Sequence, residues 1–220
     1  GMGTWLAVFD HNGDLAGSIS QRPNLMPILG LLEEKGDEIF ANADSVIVEV
    51  DMDKDIIKKV VALAKQYNKK LYGVVSNMSI AVERRDFLKH FDCFICNQLE
   101  AGMLFMEDYA DKSPEELRDI LSKRVILGKI PAMIVTMGGN GAVYADVNGE
   151  KGICPPQRVR VKDTTGAGDA FCAGVASGLT YGKTLSEAVE IGSRLAASVI
   201  TSSENVCPRF LPEEFGITLD

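Results

Sequence analysis

The densest run of candidate chemistry in this 220-residue chain is Asp163-Thr164-Thr165-Gly166-Ala167-Gly168-Asp169-Ala170-Phe171-Cys172-Ala173-Gly174. Gly166, Ala167 and Gly168 are small residues in a row ahead of a helical pattern, so the backbone can bend tightly with no side chain in the way. Their amides can then converge beside the positive end of the helix, which makes an anion site out of backbone alone. Asp169 falls in the first turn. A carboxylate there suits the helix dipole and needs no other role. Beside an anion hole, though, it is also placed to take a proton from an alcohol attacking a phosphate. The residues alone leave both readings open.

Two further stretches fall upstream. Asn97-Gln98-Leu99-Glu100 directly follows the apolar run Phe91 to Cys96, and taken alone it reads as a helix N-cap with a solvated first-turn acid. Val135-Thr136-Met137-Gly138-Gly139-Asn140-Gly141 runs from a strand pattern into glycines, which taken alone is an ordinary strand-to-loop turn. In this order, the three stretches resemble the PfkB, or ribokinase-like, family of carbohydrate and nucleoside kinases. Asp163 to Gly174 matches that family's C-terminal signature position for position, and the likeness covers the chain after Thr4.

The resemblance implies a set of roles. Asp169 would be the catalytic base acting on the acceptor hydroxyl, with the amides of Gly166, Ala167 and Gly168 as the anion hole for the group transferred from ATP. Thr136, Gly138 and Gly141 would line the nucleotide site, with Asn97 and, from the tail, Asn205. Glu100 and Asn97 would act on Mg²⁺ through water, since Mg²⁺ keeps much of its hydration shell. A monovalent cation, K⁺, is the family expectation near Asp163 and Thr165.

Composition agrees with an enzyme of small molecules. Hydrophobic residues at 46% and charged residues at 25% describe a globular chain. With 23 basic and 31 acidic residues the net charge is −8, which argues against nucleic acid as the main partner. No apolar run approaches the roughly 18 residues of a membrane span, so the chain reads as soluble and cytoplasmic. The cysteines, Cys93, Cys96, Cys154, Cys172 and Cys207, are odd in number and scattered, unlike a disulfide framework. Cys93 and Cys96 have Cys-x-x-Cys spacing but no second pair, so they read as buried-strand residues and not as metal ligands. Gly178 to Thr184 echoes a P-loop but follows a helix, so it reads as a helix end and the start of the next. Met103, Phe105 and Met106 read as core.

The elements that must hold these groups follow from hydrophobic period. Thr4 to Phe9 and Leu15 to Ser20 flank Asn12-Gly13, a hairpin signal. Leu25, Ile28, Leu29 and Leu32 start a helix that ends near Gly36. Strands are expected over Ser45–Val50, Leu71–Val75, Phe91–Cys96 and Ala132–Val135. Shorter ones are expected over Ala142–Ala145, Gly152–Cys154 and Val159–Val161. Helices come between them: one carrying Ile56 to Ala64, one over Ile80–His90, a short one after Asn97, and one opened by Ser113-Pro114-Glu115-Glu116, a capping box. Two more run about Gly168 to Thr180 and Leu185 to Thr201. This alternation predicts an α/β chain with a mostly parallel central sheet and helices on both faces, and the resemblance makes it a three-layer α/β/α ribokinase-like fold. Residues 1–20 are the hairpin, a lid remnant by the resemblance, and residues 21–220 the kinase domain.

The family's usual chain is longer, and its N-terminal Gly-Gly signature and sugar-contacting aspartate have no counterpart here. The chain is therefore expected to begin partway through the fold, with unpaired sheet edges that favour self-association, at its simplest a homodimer. The expected reaction is ATP-dependent phosphorylation of a hydroxymethyl group on a small sugar or nucleoside. The lid-like Leu6 to Asp10 and the tail Ser202 to Pro208 are most similar to pseudouridine kinase-like members. Another nucleoside or a furanose sugar stays open. Ser193, where sugar kinases carry an asparagine, bears on the adenine contacts. The alternative is a nucleotide-binding module without an acceptor site.

Overall fold

The computed structural model describes residues 2–9, 15–75, 82–202, 206–207 and 210–218. Its strands pair in the order the chain makes them. One six-stranded sheet runs β3 (Ser45–Glu49), β4 (Lys70–Val74), β5 (Cys93–Asn97), β6 (Ala132–Thr136), β7 (Ala142–Asp146) and β8 (Lys151–Cys154). The first four are mutually parallel, and β7 and β8 turn back antiparallel.

Alternation along each strand sends side chains to two separate cores. Phe94, Cys96, Met133 and Val135 join one, while Cys93, Ile95, Ala132 and Ile134 join the other. The first core is covered by α1 (Met26–Asn42), α2 (Lys54–Gln66), α3 (Gln98–Phe105) and α4 (Pro114–Gly128), with a 3₁₀ segment over Val82–His90. The second is covered by α5 (Ala167–Thr180) and α6 (Leu185–Ile200). The result is the three-layer α/β/α arrangement expected from the alternation. No helix among the described residues is long and apolar enough to cross a membrane.

Local chemistry explains the element boundaries. The expected capping box opens α4: Ser113 Oγ accepts from Glu116 N–H at 3.2 Å, and Glu116 Oε2 accepts from Ser113 N–H at 2.9 Å. The P-loop echo resolves as read. Lys183 N–H bonds Gly178 O at 2.9 Å around Gly182 at φ +81°, which closes α5. Thr184 then caps α6 with Glu187.

Helices α5 and α6 pack with almost nothing between them. A Cβ at Gly174 would lie 2.7 Å from Gly192 Cα, and one at Gly178 would lie 3.0 Å from Ala188 Cα. The backbones themselves make the contact.

Four expectations change. Helix α1 continues past Gly36, because this glycine is a crossing point and not a stop. It is buried, and a Cβ there would meet Leu63 Cδ1 of α2 at 2.6 Å. The helix expected to end at His90 is a 3₁₀ segment from Val82. Val159 to Val161 pair with no strand among the described residues and form part of the linker from β8 to α5. Met103 and Met106 are 42% and 76% exposed and line the surface of α3 with Leu99, although Phe105 is partly buried against the first core.

The N-terminal hairpin, β1 (Thr4–Phe9) with β2 (Leu15–Gln21), is a separate two-stranded sheet. Its expected Asn12-Gly13 turn lies outside the described residues. Leu6, Val8 and Ile19 are exposed on it. Just after β2, Arg22 donates to the Asp51 carbonyl at 2.8 Å and to its carboxylate at 3.1 Å. Asp51 is buried beyond the end of β3, so this pair ties the base of the hairpin to the sheet.

Candidate active site

Parallel strands end together, so β3 to β6 deliver their C-terminal residues to one edge of the sheet. There Asn97, last in β5, is the register partner of Thr136, last in β6. Thr136 Oγ1 reaches the Cys96 carbonyl at 3.5 Å. Two of the expected site residues, Asn97 and Thr136, are thus neighbours although far apart in the sequence.

Asn97 and Glu100 form a complete capping box at the start of α3. Asn97 Oδ1 accepts from Glu100 N–H at 2.8 Å, and Glu100 Oε2 accepts from Asn97 N–H at 2.7 Å. That leaves Oε1 as the carboxylate oxygen outside the cap. Burial pushes the Glu100 carboxyl above the usual range, the Asn97 amide opposes this, and the nearby Asp51 charge adds to it.

Between β6 and β7 the chain makes a one-turn loop over Gly138–Asn140. Met137 N–H bonds Gly141 O at 2.8 Å, and Gly138 and Gly141 hold φ of +54° and +86°. A Cβ at Gly141 would clash with the Cys154 carbonyl and lie 2.9 Å from Pro156 N. Glycine therefore lets the segment after β8 pass directly over the loop.

That segment, residues 155–166, crosses to the start of α5 and is anchored by Lys162 N–H to Ile200 O at 2.7 Å. It ends in a tight turn, where Asp163 Oδ1 accepts from Thr165 N–H at 2.8 Å and Gly166 adopts φ +82°. These bonds hold the Asp163 carboxyl below the usual range. The Ala167 amide is spent on the Thr164 carbonyl at 3.2 Å, a correction to the expected anion hole. Among the described residues, the amides of Gly166, Gly168 and Asp169 have no acceptor. Side-chain space at Gly168 is open, with nothing within 4 Å of a Cβ built there.

Loop, linker and helix end enclose one cleft of about 920 Å³. Thr136, Gly138, Gly141, Ala167 and Gly168 all line it, as does Ser193. Asp169 is exposed next to it in the first turn of α5. Cys172, one turn into α5, feels both Asp169 and Glu100. Burial first, then these two carboxylates, push the Cys172 thiol up to about 12. Asn205 lies outside the described residues.

Sequence reading missed the arginines of the linker, Arg158 and Arg160, and the aromatic floor residue Phe171, all on the cleft wall. Two cations just ahead of an anion-ready loop in an acidic chain were the available signal for the first pair. Cys93 and Cys96 lie on opposite faces of β5, in different cores, and burial raises both thiols well above their usual range. Among the described residues no group of three or more His, Cys, Asp or Glu could hold a metal ion.

The cleft fits a nucleotide: glycine-lined, open at Gly168, with unpaired amides at one end. A Mg²⁺ ion fits with the nucleotide and not without it, because Glu100 Oε1 is a single protein oxygen and phosphates would complete the shell.

Fold and site together define a ribokinase-like α/β protein. The ribokinase of Arabidopsis thaliana, solved with ribose and ATP, superposes with a TM-score of 0.76 at 20% identity, over 93% of this chain and 66% of that one. Residues 20–207 match the profile of the pfkB family carbohydrate kinases, and the chain belongs to that family. It is 36% identical over 212 residues to the guanosine-inosine kinase of Exiguobacterium acetylicum, covering 93% of this chain and 67% of that protein. Pseudouridine kinase of Escherichia coli is 35% identical over 69 residues, 31% of this chain and 22% of that protein. The chain thus spans about two thirds of the length of the first relative.

Proposed function

We propose that this chain binds ATP and transfers its γ-phosphoryl group to the hydroxymethyl group of a nucleoside or sugar. The observation that carries the reading is the meeting, around one cleft, of the Thr136–Gly141 loop with the α5 N-terminus, beside the exposed carboxylate of Asp169.

The acceptor hydroxyl attacks the γ-phosphorus in line with the bridging oxygen to ADP. A new O–P bond forms as the old one breaks, ADP leaves with the electron pair, and Asp169 takes the hydroxyl proton. The amides of Gly166, Gly168 and Asp169 donate to the transferring oxygens, where charge accumulates. Bound with the nucleotide, Mg²⁺ supplies charge neutralisation at the phosphates. Glu100 Oε1 would hold its water shell, with Asn97 fixing Glu100 through the capping box. A monovalent cation beside Asp163 and Thr165 would add positive charge next to the same amides. Asn205 belongs to the nucleotide contacts in this reading.

Likeness over 212 residues to a guanosine-inosine kinase supports a purine nucleoside acceptor more broadly than the 69-residue likeness to a pseudouridine kinase supports pseudouridine. The outer edge of β3 and the exposed Leu6, Val8 and Ile19 of the hairpin support self-association as a homodimer, which sedimentation velocity would read. The deciding experiment is ADP release from Mg-ATP with potassium, against guanosine, inosine, pseudouridine, uridine, adenosine, ribose and fructose. Acceptor-dependent ADP is the expected result. ATP binding with no turnover on any acceptor would favour the second reading, a nucleotide-binding unit without an acceptor site. That reading draws on the chain's spanning 67% of its relative.

A further inference from the structure

The linker that leaves β8 lines the cleft together with the α5 N-terminus into which it runs. It carries Arg158 and Arg160 into the cavity lining, and both are exposed. Neither makes an ion pair or hydrogen bond among the described residues. In a chain of net charge −8, with 31 acidic side chains available, two adjacent guanidinium groups without a carboxylate partner are against the trend. Arg22, Arg118 and Arg124 each pair with an acid, and Arg85 and Arg194 each donate to a backbone carbonyl.

The linker is held at both ends. Gly141 lets it pass over the β6–β7 loop, and Lys162 N–H fixes it to the end of α6 at 2.7 Å. Between these points Val159 and Val161 alternate with the arginines and stay 39% and 55% exposed. Together with Ala197 and Ile200 they give the cavity an apolar stretch suited to a flat base. The cavity therefore has an apolar part, the unpaired Gly168 amide with those of Gly166 and Asp169 next to it in the chain, and two unpaired cations. A planar base joined to a chain of phosphates satisfies all three at once.

We infer that Arg158 and Arg160 clasp the polyphosphate chain of the donor nucleotide from the linker side, so that it is gripped between two guanidinium groups and the α5 amides. This inference rests on the kinase reading and adds to it a determinant of donor choice. Guanidinium donors match phosphate oxygens in geometry and charge. The site would prefer a nucleoside triphosphate over the monophosphate or the free nucleoside, and the preference would fall with salt.

The test is calorimetric titration of ATP, AMP and adenosine into the native chain, Arg158→Gln, Arg160→Gln and the double variant, at low and high KCl. Each single substitution is expected to weaken ATP about tenfold and the double about a hundredfold, scaled from charge-assisted hydrogen bonds. Adenosine affinity should stay within about twofold, and the salt dependence for ATP should flatten. Both arginines are exposed, so thermal midpoints should not move; Arg158→Lys and Arg160→Lys provide a second, milder pair with partial loss. Unchanged ATP affinity in the double variant would overturn the inference while leaving the kinase reading intact. An equal loss for adenosine would overturn it too, by putting the guanidiniums on the base. A native chain that binds no ATP would remove the kinase reading itself.

Discussion

Gly141 lies directly under the carbonyl of Cys154, close enough that no side chain fits between them. Its φ of +86° is also one that residues with a Cβ rarely adopt. The two constraints act together on Gly141→Ala. The variant is expected to lose about 2–4 kcal/mol of stability. Because the linker is displaced from the cleft, ATP affinity should fall as well. Thermal melts and nucleotide titration check both, and an unchanged ATP affinity would show that the linker does not shape the site.

Asp169 is exposed in the first turn of α5, with no hydrogen-bond partner among the described residues, so its removal leaves nothing unsatisfied. Asp169→Asn should keep the fold and the ATP affinity while turnover drops by about 10²–10⁴-fold, the usual worth of a positioned base. Turnover within a factor of two of the native chain would sink the assignment.

Glu100 is expected to trade stability for function. Burial raises its carboxyl, so the folded chain binds that proton more tightly than the unfolded chain does. Ionised Glu100 therefore costs stability at neutral pH, and the cost fades as pH falls through its raised folded value toward the ordinary range. Glutamine keeps the capping box without the charge. Glu100→Gln should melt higher than the native chain at pH 7.5, with the advantage shrinking toward pH 4, yet need more Mg²⁺ for turnover. A lower midpoint at pH 7.5 would contradict the electrostatic account.

Two glycine substitutions should differ in sign. At Gly192 a Cβ would meet the Phe171 carbonyl at 2.7 Å and Val175 Cγ2 at 2.9 Å, forcing α5 from α6. Gly192→Ala should cost about 1–3 kcal/mol. At Gly30, within α1, a Cβ would meet nothing within 4 Å. Gly30→Ala should stabilise by about 0.5–1 kcal/mol through helix propensity. Denaturant melts of the two variants give the comparison directly.

What was legible in the sequence was what local chemistry decides. Ser113 and Glu116 announce α4 because both halves of the capping box lie within one turn. The runs that became β3 to β6 are legible because a strand buried on both faces must be apolar throughout. Of the candidate site, the loop residues Thr136, Gly138 and Gly141 and the α5 start, singled out by their small side chains, line one cleft.

Most of the misses depend on partners remote in sequence, and one on a local turn. Gly36 looks like a helix stop unless Leu63 is known to cross it. Val159 and Val161 alternate like a strand, but they face a cavity and no neighbouring strand accepts them. The Ala167 amide could be counted free until the turn at Thr164 claimed it. Arg158 and Arg160 became candidates only when the linker was seen to fold across the cleft.

The strictly sequential strand order has a consequence for biosynthesis. Each strand from β4 onward can dock on one that has already left the ribosome, so the sheet can zip up during translation. The face under α5 and α6 is the exception. Tyr72, Ile95 and Ile134 have no cover until residues 167–200 emerge. A nascent chain paused before Ala167 would present a bare, greasy sheet to solvent, and that interval is where a holdase chaperone would be needed most.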